Sequence, residues 1–126
     1  MQAINSLDEL KLPQKYKKFL NYFLKNLSRV DSVDRVILFG SCARGDVRVR
    51  SDIDLMIIGD NITDEDEDFI YADCGPEYQS DFYSACDIFT SNHDWYNQMK
   101  DKTGSLHWRI ERDGKDLTAI MRGILV

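Results

Sequence analysis

At 126 residues the chain is long enough for one hydrophobic core and too short for two. With 43% hydrophobic and 30% charged residues it has the composition of a folded globular chain, and a formal net charge of −6 argues against a general nucleic-acid binder, which needs a broad basic surface. No apolar run approaches a membrane span and no signal-peptide pattern opens the chain, while Cys42, Cys74 and Cys86, odd in number and without metal-ligand spacing, suit reduced thiols in a cytoplasm.

Residues 1–34 are read as a lead-in followed by one long helix. Pro13 suits a first helical position, where its missing N–H costs nothing. Leu12, Tyr16, Phe19, Leu20, Phe23, Leu24 and Leu27 recur at three- and four-residue spacings, so one face is apolar and reads as core. Lys11, Lys15, Lys17, Lys18, Lys25 and Arg29 lie mostly elsewhere on the helix, by default a solvated face. A first strand is expected over residues 33–39. Gly40-Ser41 then turns the chain into a short helix at 41–44, and a second strand runs over 53–58. Both strands are short aliphatic runs closed by Gly40 and Gly59, the pattern of strands buried on both faces.

Asp52 and Asp54 stand two apart at the start of the second strand, so their side chains point the same way. Paired carboxylates repel, and a fold keeps them together most readily around a cation; oxygen-only ligands favour Mg²⁺ or Mn²⁺ over zinc. Gly40 lets the backbone approach a ligand closely, and the turn into the short helix aims free N–H groups at an anion. A phosphate chain at Gly40-Ser41, bridged to the two carboxylates by Mg²⁺, is the arrangement that phosphoryl or nucleotidyl transfer needs. Arg44, Arg48 and Arg50 form a local basic cluster in an acidic chain, either charge partners or a solvated loop. Cys42 has no nearby histidine in sequence to activate it and is read as helix packing.

Taken in order, Gly40-Ser41, Ala43-Arg44-Gly45 and Ser51-Asp52-Ile53-Asp54-Leu55 resemble the signature of the DNA polymerase beta-like nucleotidyltransferases, above all their small stand-alone members, the minimal nucleotidyltransferases. The resemblance implies an α/β (α+β) fold, a small mixed sheet flanked by helices, with the long N-terminal helix beside it. Residues 1–126 would then form one nucleotidyltransferase domain, a helical segment at 1–34 preceding a catalytic core at 35–117.

Beyond the second strand, Gly59-Asp60-Asn61 is a turn. The acidic run at 64–68 reads as the exposed first turn of a helix capped by Thr63 rather than as a metal site. Residues 69–80, broken at Cys74-Gly75-Pro76, carry no clear element. A third strand is expected over 82–90. Asp87 interrupts its apolar end, and an unpaired carboxylate in a buried strand is costly. In the resembled family a third carboxylate on a neighbouring strand completes the metal site; Asp87 is the match and Asp81, at the strand's start, the rival. Ser91 is expected to cap a helix reaching about residue 101, and Thr103-Gly104-Ser105 to precede another at 106–112, which ends at an Asp113-Gly114 turn. Residues 110–117 resemble the helix-turn-strand ending of minimal nucleotidyltransferases, with Thr118 departing from the aromatic residue common there. His93 and His107 are single histidines, read as packing or surface groups.

The chemistry implied is nucleotidyl transfer with ATP as donor and two Mg²⁺ ions. One would be held by Asp52 and Asp54 on the triphosphate, the other shared with Asp87 to lower the pKa of an acceptor hydroxyl. Gly40 and Ser41 would hold the phosphates, with Arg44 as a charge partner. For many small members of the family the acceptor is a hydroxyl of a partner protein, in toxin–antitoxin pairs a HEPN-type toxin ribonuclease. The rivals are a non-catalytic antitoxin that neutralises its partner by contact, and transfer to a small molecule such as an aminoglycoside. Self-association of the chain stays open.

Overall fold

A computed structural model describes residues 1–48, 51–73 and 86–123. The long helix is α1, Gln14–Leu27. Its apolar stripe is its buried face: Tyr16, Phe19, Leu20, Phe23, Leu24 and Leu27 are almost wholly shielded from water. Pro13 stands one position earlier than expected, as the N-cap, where its missing N–H is equally harmless. The lead-in has structure of its own. Gln2–Ala3 forms β1, and Leu7–Glu9 is a 3₁₀ turn closed by Ser6 and Glu9 in a capping box.

β2 spans Arg35–Phe39, two residues shorter at its start than expected, while α2 (Ser41–Arg44) and β3 (Ile53–Ile58) have the expected bounds. α3 is Asp64–Asp73. The Thr63 hydroxyl accepts the Asp66 N–H at 3.1 Å, so Thr63 does cap it, and the acidic turn sits at the helix's positive end. β4 is Cys86–Ser91; residues 82–85 of the expected strand, and the rival Asp81, lie outside the described residues. Ser91 does not cap the next helix. It belongs to the β3–β4 ladder, opposite Ile58, so the cap falls to Asn92, whose side chain accepts the Trp95 N–H at 2.7 Å. That helix, α4, is His93–Met99, shorter than expected. α5, Leu106–Asp113, begins at the Ser105 cap and leads into β5 (Lys115–Asp116) and α6 (Thr118–Gly123).

The described residues form a mixed five-stranded sheet in the order β1-β5-β2-β3-β4. β1 runs parallel to β5 and β4 parallel to β3, while β5 and β3 are antiparallel to β2. Alternation along the central strands sorts the core into two layers. Val36, Leu38, Ile53, Leu55 and Ile57 pack with α1, Ile70 and Met121; Ile37, Phe39, Met56 and Ile58 pack with Tyr96 of α4 and Ile110 of α5. β2 and β3 are therefore apolar on both faces, as their sequences predict.

Both histidines have packing or surface roles. His107 is buried edge-on against Tyr96, with ring centroids 5.4 Å apart, and burial lowers its pKa. His93 pairs with Asp34 at 2.8 Å. Among the described residues no helix is long and apolar enough to cross a membrane. Because α1 supplies one whole layer, Phe23→Ala is expected to cost about 3–5 kcal/mol in denaturant unfolding. Lys25→Ala, on the exposed side of the same helix, should change stability by less than about 0.5 kcal/mol. Similar small effects at both positions would mean that α1 is not part of the cooperative core.

Candidate active site

Two registers build the site. β2 pairs with β3 so that Phe39 faces Asp54, and β3 pairs with β4 so that Asp54 faces Asp87. The turn that follows Phe39 and both carboxylates thus share one end of the sheet. Gly40 has φ 73° and ψ −157°, a region reserved in practice for glycine. A Cβ at Gly40 would overlap the Asp54 carboxylate, so the backbone of the turn lies directly on that side chain. The Gly40 carbonyl accepts the N–H groups of Ala43 and Arg44 at 3.1 and 3.2 Å, which coils α2 tightly behind the turn.

Asp54 carries the electrostatic strain. Its carboxyl is pushed up to about 6, first by burial, then by the charges of Asp87 and Asp52 and a hydrogen bond with Asp87; Arg44 acts weakly the other way. Asp52 and Asp87 are exposed. The burial cost argued for Asp87 from sequence is therefore misplaced: β4 is the outer strand of the described sheet, and Asp54, one strand inward, bears the desolvation. Among the described residues no three Asp, Glu, His or Cys side chains already stand in position to hold a metal ion together. The Asp54 carboxyl instead hydrogen-bonds with that of Asp87, and Asp52 acts on Asp54 through its field. The donor set is carboxylate oxygen only, and burial of Asp54, together with the charges of Asp87 and Asp52, retains a proton there well above the usual carboxylate range. Those are the features that suit a hard divalent cation in place of that proton.

The remaining candidates flank this cluster. Ser41 is half-buried at the start of α2. Arg44 pairs with Asp46 at 3.3 Å, but both side chains are largely exposed, so the pair is weak and the guanidinium is available to a ligand. Arg48 is exposed and Arg50 lies outside the described residues. Cys42 is buried, and burial together with the charge of Asp54 pushes its thiol up to about 11. It is a protonated donor, not a nucleophile, and gives its S–H to the Asp52 carbonyl at 3.2 Å.

Two contributors escape the sequence reading. The Tyr16 hydroxyl donates to the Ser51 carbonyl at 2.8 Å, fixing the residue before Asp52 from the side of α1. A buried phenol needs such a partner, which was the available signal. Phe89, on the same face of β4 as Asp87, is exposed and stacks obliquely on Phe39 with centroids 5.8 Å apart. Its hydropathy alone marks it only as one more strand residue.

Compared with known proteins, residues 17–117 match the family model of the nucleotidyltransferase domain, and the chain belongs to that family. Over 52 residues it is 40% identical to a Methanocaldococcus jannaschii protein named "putative protein adenylyltransferase"; the match covers 41% of this chain and 48% of that protein, about half its length. Among solved structures, a toxin–antitoxin crystallised with AMP-PNP superposes with a TM-score of 0.51 at 16% identity, over 90% of this chain and 87% of that one. That likeness is one of fold. A structure titled "putative nucleotidyltransferase" from Sulfolobus solfataricus gives a TM-score of 0.47 at 22% identity, over 67% of this chain and 73% of that one.

The raised pKa of Asp54 has a definite sign in stability. The folded state binds the extra proton between about pH 4 and 6, so this stabilisation is present below the unfolded pKa and is lost as pH rises through the folded one. In chelated buffer Asp54→Asn should match the wild type near pH 4 and exceed its stability at pH 8. The margin should be about 1 kcal/mol, because solvent screening reduces the full effect of the shift. Thermal unfolding at the two pH values checks this; a variant less stable at pH 8 would refute the reading that burial and like charges strain Asp54.

Proposed function

We propose that the chain is a Mg²⁺-dependent nucleotidyltransferase that moves AMP from ATP to a hydroxyl group on a partner protein, with a HEPN-type toxin as the candidate partner. The observation that carries this reading is the packing of the Gly40 turn on Asp54, itself opposite Asp87. That arrangement supports a reading in which phosphates lie beside cations. The relative named as a protein adenylyltransferase supports a protein acceptor, and the toxin–antitoxin structure with AMP-PNP is in line with an adenine nucleotide and a toxin partner. We read the whole chain as one domain working in the cytoplasm, with residues 35–117 carrying the chemistry.

In this reading Asp52, Asp54 and Asp87 are both metal ligands and catalytic carboxylates. Mg²⁺ bound among them, two ions in all, would neutralise the triphosphate and acidify the acceptor hydroxyl. The Ser41 hydroxyl and N–H hold phosphate oxygens, Gly40 lets them approach the backbone, and Arg44 balances their charge. The acceptor oxygen attacks the α-phosphorus, and the bond to the bridging oxygen breaks with its electron pair leaving on pyrophosphate. The acceptor's proton passes to the carboxylate cluster, in which Asp52 and Asp87 are exposed. An acidic chain suits a protein acceptor better than a polynucleotide, whose binding draws on many Lys and Arg contacts.

The test is to incubate the protein with ATP, Mg²⁺ and the product of the gene beside its own, and to weigh each chain. One adenylyl group on the partner is expected. Asp54→Asn should reduce transfer about 100-fold or more and weaken Mg²⁺–ATP binding in calorimetry. Asp87→Ala should abolish transfer while leaving ATP affinity within about threefold, since it serves the acceptor side. Tight complex formation without modification would favour the non-catalytic antitoxin, and modification of an aminoglycoside instead would favour the small-molecule reading.

A further inference from the structure

We propose that Tyr71, Phe89 and Trp95 form the surface on which the acceptor protein docks. The segment it takes is extended and apolar, and carries a lysine or arginine about four residues from the hydroxyl to be modified. The inference rests on the transfer to a protein hydroxyl proposed above and adds to it the chemistry of the segment that is recognised.

The exposed apolar side chains gather around β4. Among the described residues four large hydrophobic side chains are exposed, and three of them, Tyr71 at 45%, Phe89 at 41% and Trp95 at 50%, belong to α3, β4 and α4. Phe89 stands two residues beyond Asp87, so the two side chains share one face of the strand. Tyr71 reaches β4 from α3 and donates its hydroxyl to the Ile88 carbonyl at 3.1 Å. Trp95 follows in the first turn of α4, beside the end of β4. The Ser91 carbonyl accepts the Gly59 N–H at 3.0 Å and so points inward toward β3. Three residues earlier, the Ile88 carbonyl therefore points to the outer edge, where the Tyr71 hydroxyl occupies it. A partner meets this edge through side chains rather than by adding a strand.

At the far end of this strip Asp60, Ile62, Glu67, Thr90 and Trp95 line a cavity of about 300 Å³. Its charge is of one sign. Among the described residues that line it none is cationic, and neither carboxylate forms an ion pair there. Glu67 accepts the Thr90 hydroxyl at 3.0 Å and Asp60 the His93 N–H at 3.0 Å, each through one oxygen, which fixes both at the rim. Two carboxylates beside an exposed indole suit a guanidinium or ammonium head, held by charge at its tip and by the ring along its stem. From Asp87 to Ser91, where the cavity begins, the strand runs about 13 Å at the usual rise. An extended segment of about four residues spans that distance, so a hydroxyl at Asp87 puts a lysine or arginine at the cavity. The side chains between them lie along Phe89. Aromatic anchors of this kind carry most of the affinity at protein interfaces, while a rim of one charge selects the partner. A second copy of this chain, with its own net charge of −6, matches the acidic cavity poorly.

The test uses the labelled peptide Arg-Leu-Val-Leu-Tyr and its reversed sequence, each with a counterpart in which glutamate replaces arginine. Binding to the full chain is followed by fluorescence polarisation. The wild type should bind a basic peptide about tenfold or more tightly than its acidic counterpart. The Phe89→Ser/Trp95→Ser double variant should weaken that binding about tenfold or more. Circular dichroism checks that it is folded, and its Mg²⁺–ATP affinity in calorimetry should stay within about twofold of the wild type. Asp60→Asn/Glu67→Gln keeps an acceptor oxygen for His93 and Thr90 and should abolish the preference between the peptides. Absent or equal binding of the peptides overturns the proposal, as does binding undisturbed in the Phe89/Trp95 variant. So does a dimer of the wild type that this variant converts to monomer in sedimentation, which gives the surface to a second copy. If the basic peptide binds as expected but the chain neither binds ATP nor adenylylates a partner, the docking surface stands and the transfer reading fails. If the neighbouring gene's product is adenylylated equally by the wild type and the Phe89/Trp95 variant, the transfer reading stands and the docking surface fails.

Discussion

Asp54 lies against Gly40 because β2 and β3 pair with Phe39 opposite Asp54, and the other features of the site follow from that register. Side chains on a strand alternate, so a slip of one residue would carry Asp54 into the layer packed on α1 and turn Ile53, Leu55 and Ile57 away from it. Both faces of these strands are buried, so the register is held from two sides. Each aliphatic side chain buried there contributes about 1.5–3 kcal/mol. The penalty for burying Asp54 and setting it among like charges is about 1 kcal/mol after screening. The core decides the register, and the carboxylates are carried to their places by it.

The N-terminal segment belongs to this arrangement more closely than its sequence suggests. Tyr16 on α1 fixes the carbonyl of Ser51, and Cys42 on α2 fixes that of Asp52, so the entry to β3 is tied down from two helices. β1 pairs with β5, beside which Lys115 meets Lys11 and Arg44 in one cavity. The family match begins at residue 17, after β1 and Lys11. Residues that precede the matched region therefore pack against α2, β5 and the entry to β3.

Where the sequence reading went astray, a neighbouring element altered a local preference. Ser91 is as good a cap as Asn92 by type, but the ladder to β3 claims Ser91 and the helix starts one residue later. β1 is a two-residue strand with no periodicity of its own, and it exists because β5 lies alongside it. The sequence marks Asp87 as a costly carboxylate in a buried strand. Its place at the edge of the described sheet moves that cost to Asp54.

The apolar stripe of α1, the doubly buried β2 and β3, the glycine turn and the two aspartates two apart were all determined by the sequence alone. Helical spacing, strand alternation and the backbone freedom of glycine are properties of neighbours along the chain. The tertiary structure alone decided that Asp87 faces Asp54 and that Gly40 has no room for a side chain above it. It also decided which carboxylate is strained, and it brought Lys11 and Lys115 to the same side of the turn. These depend on strand order and register across the sheet, which join residues dozens of positions apart, and on how deeply each ends up from water.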